Sequence, residues 1–171
     1  KRRIAAFGVQ LVEEGDVLYL DSGTTLAQMC ARLAAQLREK PLSITVFTNS
    51  IVNLELLGAQ ADISLIGGKY RANRRDFCGY IAEETVKNLH FTKAFLGTDG
   101  FNAVNGFTAT DFSTARLNQL VLGRTDKSVI LADSSKFETS EVVSYSRGSK
   151  VDLLITDRRL PEEKRRGLRE H

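Results

Sequence analysis

Short apolar runs alternate with helix-periodic segments along this chain, and most of the runs end in a polar or glycine-bearing turn. That alternation constrains the fold more than any other feature. Val17-Leu18-Tyr19-Leu20, "SITVF", "DISLI", "KAFL", "SVILA" and "VDLLIT" are four to six residues long, the length of buried strands. Between them, apolar residues recur three and four positions apart. Ile4, Phe7, Gly8, Leu11 and Val12 predict a helix over residues 2–14, ended by Gly15. Leu26, Met29, Cys30, Leu33 and Leu37 predict a second, stopped before Pro41. Further helices are expected from Ile51 to Gly58, near residues 78–89, near 113–123, and from about Pro161. "KYRANRRD" reads as a polar connecting segment, and "TDGFNAVNGFTATD" as a long glycine-bearing loop. Strands alternating with helices require crossover connections. The expected class is therefore α/β, a mainly parallel sheet with helices on both faces. No repeat or low-complexity linker interrupts the pattern, so residues 1–171 are expected to form one domain.

Composition narrows the class further. With 171 residues, 42% hydrophobic and 26% charged, the chain is long enough to bury a substantial core. No run of about 18 apolar residues is present, so no membrane partner is expected. The first residues, "KRRIAAFGVQLVEEGD", are basic and then amphipathic, without an apolar signal core. Cys30 and Cys78 fall in helix-patterned segments without metal-ligand spacing, and read as buried free thiols in a reducing, cytoplasmic setting. The net charge of +3 is unevenly placed. Residues 158–171 hold six basic and three acidic side chains, and the rest of the chain holds 18 of each. A neutral body argues against broad nucleic-acid contact by this segment itself, and the basic tail reads as a solvated helix face.

The functional signal lies in the turn at the end of each strand. The first run ends in Asp21-Ser22-Gly23-Thr24-Thr25, the second in Thr48-Asn49-Ser50, and the third in Gly67-Gly68. The fourth ends in Gly97-Thr98-Asp99-Gly100, and "VILA" in Asp133-Ser134-Ser135-Lys136. In an open parallel sheet the strand C-termini share one edge, and ligands bind in the crevice there. Five such loops are expected to converge on one pocket. Glycines admit close backbone approach, and a helix beginning at Thr24 or Thr25 offers unpaired N–H donors and partial positive charge to an anion. Lys136 adds a full charge, and Asp21 and Asp99 can accept from sugar hydroxyls. Each loop taken alone is a cap or a turn. Together they outline a site for a small phosphorylated polyol.

Other chemistries are poorly served. Ser22 is not framed as Gly-x-Ser-x-Gly, and the histidines are His90 and His171, so a Ser-His-Asp arrangement is not expected. No metal-ligand spacing appears, and no cofactor is implied. The glycines form neither a dinucleotide fingerprint nor a phosphate-binding loop ending in Gly-Lys-Ser/Thr.

"GDVLYLDSGTT", "VFTNS", "LIGGKYR", "CGYIAEE", "FTKAFLGTDGFNAVNGFT", "ILADSSKF" and "VDLLITD", in this order, resemble the C-terminal half of DeoR-family bacterial transcription regulators. The resemblance covers about residues 1–168. It implies a sensor domain for a phosphorylated sugar or related metabolite, and the fold of ribose-5-phosphate isomerase, glucosamine-6-phosphate deaminase and CoA-transferase domains. DNA would be read by an N-terminal winged helix-turn-helix that this segment does not contain, and the segment is expected to be an excised domain. A homo-dimer or tetramer is implied, acting as part of a repressor of a sugar-utilisation operon. By the resemblance, Asp21, Gly23, Thr24 and Thr25 belong to the loop holding the effector's anionic end. Thr48, Asn49 and Ser50 form the second loop and Gly67 and Gly68 the third. Gly97, Asp99 and Gly100 form a "GxDG" element, and Lys136 is the lysine after "DSS". Many relatives place a lysine where Asn118 stands and a basic residue where Gln119 stands, so this helix departs from the pattern. The competing expectations are an active phosphosugar isomerase or deaminase, which needs a positioned acid and base, and a purely structural dimerisation module. "LGTDGFNAVNGFT" keeps Asp99 as its one acid and has no lysine, so no enzymatic activity is expected.

Overall fold

Six strands form a sheet paired entirely in parallel, as the buried apolar runs require. The structure is a computed structural model, and it describes residues 1–139, 141–147, 151–162 and 168. In chain order the elements are α1 (Arg2–Val9), β1 (Val17–Leu20), α2 (Thr24–Glu39), β2 (Thr45–Thr48), α3 (Ile51–Leu57) and β3 (Asp62–Leu65). Then come β4 (Lys69–Arg71), β5 (Asp76–Cys78), α4 (Tyr80–Lys87), β6 (Phe91–Leu96), β7 (Gly100–Asn102) and β8 (Gly106–Ala109). The chain continues through α5 (Phe112–Leu122), β9 (Thr125–Leu131), a 3-10 turn (Ser134–Phe137), β10 (Val143–Ser144) and β11 (Leu153–Ile155). The main sheet has the order β11-β9-β6-β1-β2-β3.

Strand side chains alternate between two cores, which is why the apolar runs are continuous. Leu18 and Leu20 of β1, Phe95 of β6, and Val129 and Leu131 of β9 pack with α1, α2 and α3 on one face. Tyr19, Ala94, Leu96 and Ile130 point the other way, into a core shared with α4 and α5. Met29, Cys30 and Leu33 are completely buried on α2, so the helical stripe read from the sequence is the face the sheet covers.

Three expectations are corrected. The first helix stops at Val9, and Leu11 and Val12 continue in tight turns bonded to Gly8 and Val9 before Gly15 turns the chain into β1. "KYRANRRD" is not a polar connection but most of the antiparallel hairpin β4–β5, with Tyr70 packed on Phe77 across it. Cys78 therefore lies in a strand, and α4 begins only after Gly79. "TDGFNAVNGFTATD" holds a second hairpin, β7–β8, whose turn ends in the Asn105-Gly106 pair favoured in hairpins and whose third strand is β10. The helix expected from Pro161, and most of the basic tail, fall outside the described residues. Cys30 and Cys78 are free and buried, and burial pushes the Cys30 thiol up to about 12. Among the described residues no helix is long and apolar enough to cross a membrane.

Candidate functional site

The strand order reverses at β1. From there the chain builds outward through β2 and β3, then returns to the other side of β1 and builds through β6, β9 and β11. A reversal of this kind leaves a crevice beyond the C-terminal ends of the two strands flanking it, because their connections leave in opposite directions. The crevice here is a cavity of about 600 Å3, its open mouth included, bounded by the turns after β1, β6 and β9 and by α5.

Asp21 closes β1 and ties the crevice together. Its Oδ1 accepts from Ser22 N at 2.7 Å, and its Oδ2 from Gly97 N at 3.0 Å, so one carboxylate clamps the ends of β1 and β6. Burial raises its pKa to about 6, a rise that these two backbone donors limit. Ser22 also borders the cavity, and its hydroxyl donates to Asp76 at 2.7 Å. Gly23 then adopts φ 116° and ψ 163°, a conformation essentially reserved for glycine, which swings the chain directly into α2. No side chain caps α2. Its first amides, from Thr24 onward, have no intrahelical acceptor and face the crevice as donors with the positive end of a 16-residue helix behind them. α3 and α5, by contrast, are capped by Ser50 and Asp111.

Three cationic side chains reach the same space. Lys1 Nζ donates to Thr24 Oγ1 at 2.9 Å and lies 3.8 Å from Asp133. Arg74 is half-buried, and its ion pairs among the described residues are long, 3.4 Å to Asp76 and 3.8 Å to both Asp99 and Asp111. Lys136 makes no side-chain hydrogen bond or ion pair among the described residues. Asp133 caps the 3-10 turn; burial works against its charge, but the Ser135 hydroxyl and amide outweigh that and hold it below the usual carboxylate range. Asp99 Oδ2 accepts from Thr110 N at 3.1 Å and Thr110 Oγ1 at 2.9 Å, and the Thr98 hydroxyl is spent on Gly100 O and Thr108 O. Tyr145 lines the far wall and donates its hydroxyl to Gly97 O at 2.7 Å.

Of the residues singled out in the sequence, Asp21, Ser22, Gly23, Thr24, Thr25, Gly97, Thr98, Asp99 and Lys136 line this cavity. Thr48, Asn49, Ser50, Gly67, Gly68 and Gly100 are not among its lining residues, and Asn49, Ser50 and Gly68 are instead engaged by the β4–β5 hairpin. Asn49 exchanges bonds with Phe77, Ser50 bridges to Asp76, and Ile51 N donates to Arg75 O. Gly68, at φ 147°, lets Cys78 O approach to within 2.6 Å of where a Cβ would stand. The Thr48 hydroxyl donates to Leu20 O at 2.6 Å. Gly100 opens β7 and packs beside Thr139. The expected convergence of five loops is thus a convergence of three.

Arg74, Thr114, Asn118 and Tyr145 line the cavity without having been sought there. Thr114 and Asn118 stand four apart on one face of α5, a spacing visible in the sequence. Arg74 lies in the segment that reads as a polar connection, and Tyr145 follows the two-residue strand β10, too short to show a period, so no local signal marked them. Among the described residues no group of three or more His, Cys, Asp or Glu could hold a metal ion.

A family model described as the DeoR C terminal sensor domain matches residues 1–158. The chain is 30% identical over 171 residues to a putative aga operon transcriptional repressor of Escherichia coli O157:H7, covering 99% of this chain and 62% of that protein. It is 30% identical over 161 residues to the lactose phosphotransferase system repressor of Streptococcus mutans, covering 92% and 61%. The chain thus spans about three fifths of the length of these curated relatives. Among solved structures, ribose 5-phosphate isomerase A from Methanocaldococcus jannaschii superposes with a TM-score of 0.58 at 19% identity, over 80% of this chain and 52% of that one. A probable sor operon regulator from Shigella flexneri gives 0.57 at 13% identity, over 92% and 83%. At these identities the two structures establish a shared fold.

Proposed function

The chain belongs to the DeoR C-terminal sensor domain family, and on that premise we propose that its crevice holds a phosphorylated sugar or sugar-derived metabolite. The observation that carries the reading is the uncapped start of α2, with Lys1, Arg74 and Lys136 around the same cavity. Donors from a helix terminus and cations on flexible stems suit a phosphate, whose oxygens accept from several directions at once. Asp21 and Asp99 supply acceptors for the hydroxyls of the carbon chain. The relatives matched along nearly the whole chain are named as transcriptional repressors, which supports a sensor role over isomerisation.

In the full-length regulator, DNA is bound by a separate domain, and this one biases it. A ligand shifts an equilibrium only by its differential affinity for the two states. The effector is therefore expected to favour one arrangement of a dimer or tetramer, changing the spacing of the DNA-reading heads over symmetric half-sites in the cytoplasm.

Thermal-shift measurement on this chain tests the reading. A subset of sugar phosphates raises the melting temperature, and the matching free sugars do not. No shift across a broad phosphosugar panel overturns it.

A further inference from the structure

Large apolar side chains at a protein surface are ordinary when scattered and informative when gathered. Among the described residues, Tyr80 is 75% exposed, Ile81 64%, Phe112 76% and Tyr70 47%. These four share one corner of the molecule. Tyr80 and Ile81 open α4, and Phe112 opens α5. α4 leads into β6 and α5 into β9, which are parallel neighbours, and both helices bury one side in the same core. They therefore run side by side in one direction and start at the same end. An ion pair one turn in, Arg116 Nε to Glu83 Oε2 at 3.7 Å, keeps them in step, since Glu83 follows Tyr80 and Arg116 follows Phe112 by one turn. Tyr70 arrives on the β4–β5 hairpin, which borders both helix starts. Arg71 Nη1 donates to Asp111, the cap of α5, at 3.0 Å, and a Cβ at Gly79, the cap of α4, would stand 3.9 Å from that of Lys69.

The fold of a single chain does not call for these side chains. First-turn helix positions favour proline and acids, and the buried sides of α4 and α5 are supplied by Ala82, Val86, Ala115, Leu117 and Val121. Large side chains bury about 150–250 Å2 each, so four at this exposure offer on the order of 500 Å2. A stable pair of proteins takes about 800 Å2 from each partner, with an apolar centre inside a polar rim. The four residues supply such a centre. Its rim is balanced, because the charged side chains of the two helices are Glu83, Glu84, Lys87 and Arg116, paired as Arg116–Glu83 and Lys87–Glu84. A helix face of zero net charge does not draw nucleic acid. It meets a duplicate of itself without repulsion, as isologous pairing requires.

We propose that this corner is a two-fold interface on which a second copy of the chain docks, with Tyr80 and Phe112 at its centre. The surface serves the dimer invoked above, and it stands whether or not the crevice takes a phosphosugar. It also sets the partner against α5, whose opposite side walls the crevice through Thr114 and Asn118. Partner and ligand thus bear on one helix from two sides.

Analytical ultracentrifugation of this chain without ligand provides the test. Wild type is expected to dimerise with a Kd of about 10 µM or below. Phe112→Glu and Tyr80→Glu place an acid in a first helical turn, which suits the fold. Each is expected to raise that Kd about tenfold or more, because like charges then face each other across the two-fold axis. Alanine at the same position decides the matter for a glutamate variant that does not fold. Phe7→Glu, at an exposed position on α1, is expected to leave the Kd within about twofold. A tetramer that the two patch variants split into halves supports the same interface. A wild-type chain that remains monomeric at about 100 µM overturns the proposal. So does an oligomer that either patch variant leaves intact, or that Phe7→Glu weakens as much. A chain that dimerises through Phe112 but binds no phosphosugar overturns the ligand reading alone.

Discussion

The two halves of the sheet edge carry similar loop chemistry and use it differently. After β1 stands Asp-Ser-Gly-Thr-Thr, and after β2 stands Thr-Asn-Ser, both rich in hydroxyls at the start of a helix. In the second, every one of the three residues is buried, and each makes a bond to β1, to the β4–β5 hairpin or to α3. The first leaves its helix uncapped and opens on the cavity. The difference is topological. β2 and β3 lie on one side of the strand-order reversal, where the β4–β5 hairpin bonds to the β2 loop; β6 and β9 lie on the other side, where the turns after them line the crevice. Polar loops after parallel strands thus mark a sheet edge, and the elements packed over that edge decide which loops remain available to a ligand.

The largest way to break this comparison is to open the closed half. Asp76 is fully buried, accepts from Arg71 Nε at 2.7 Å and Nη2 at 2.8 Å, and receives the Ser22 hydroxyl. Burial disfavours the Arg71 charge, but its hydrogen bonds to Asp76 more than restore it and raise its pKa; the guanidinium stays ionised when that partner is removed because arginine is not deprotonated in proteins. Asp76→Ala is expected to cost about 3–5 kcal/mol, the loss seen when one partner of a buried ion pair is deleted. Urea unfolding measures it. A cost below about 1 kcal/mol means the hairpin is not what closes this end.

Asp21, at the open half, gives the next effect, and it depends on pH. In the unfolded chain this carboxyl releases its proton near 3.8; in the folded chain it holds it to about 6. Between those values the folded state binds more protons, so the group favours folding at low pH, and that contribution is lost as pH rises through about 6. Asp21→Asn cannot ionise. The variant is expected to gain about 2–3 kcal/mol relative to wild type between pH 4 and pH 7. Asp16, Asp111, Asp133 and Asp157 are held below the usual range and titrate beneath this window. Parallel stability profiles for the two proteins refute the shift.

The sequence carried the sheet more fully than the site. The runs at β1, β2, β3, β6, β9 and β11 were legible because a strand buried on both faces must be apolar throughout, and the stripe on α2 because its period is helical. Cavity residues on β1 and β6 were legible as strand-end loops. Arg74 was not, since a hairpin with Tyr70 and Phe77 as its main apolar pair gives little periodicity to read. Nor could the sequence tell Thr48 from Thr24. Both are hydroxyls in the polar stretch that follows a strand run, and packing distinguishes them: Thr48 Oγ1 donates to Leu20 O and accepts from Asn53 Nδ2, whereas Thr24 lines the cavity.

The smallest effects compare the halves directly, because each of two alanine variants should move one quantity and spare the other. Ser50 caps α3 through its side chain, which accepts from Asn53 N at 3.3 Å, and it lies outside the cavity. Ser50→Ala is expected to cost about 1 kcal/mol of stability, as loss of a cap does, with phosphosugar affinity unaltered. Lys136 is half-buried at the cavity, has no ion pair or side-chain hydrogen bond among the described residues, and contributes little to the fold. Lys136→Ala is therefore expected to stay within about 0.5 kcal/mol of wild-type stability while weakening the tightest-binding phosphosugar about tenfold. Unfolding curves and calorimetry on the same preparations separate the two. If Ser50→Ala weakens binding as Lys136→Ala does, the β2 loop shares the ligand and the division of the edge fails. If Lys136→Ala binds as wild type does, its charge is not part of the cradle, and the anion is held by the α2 amides with Lys1 and Arg74 alone.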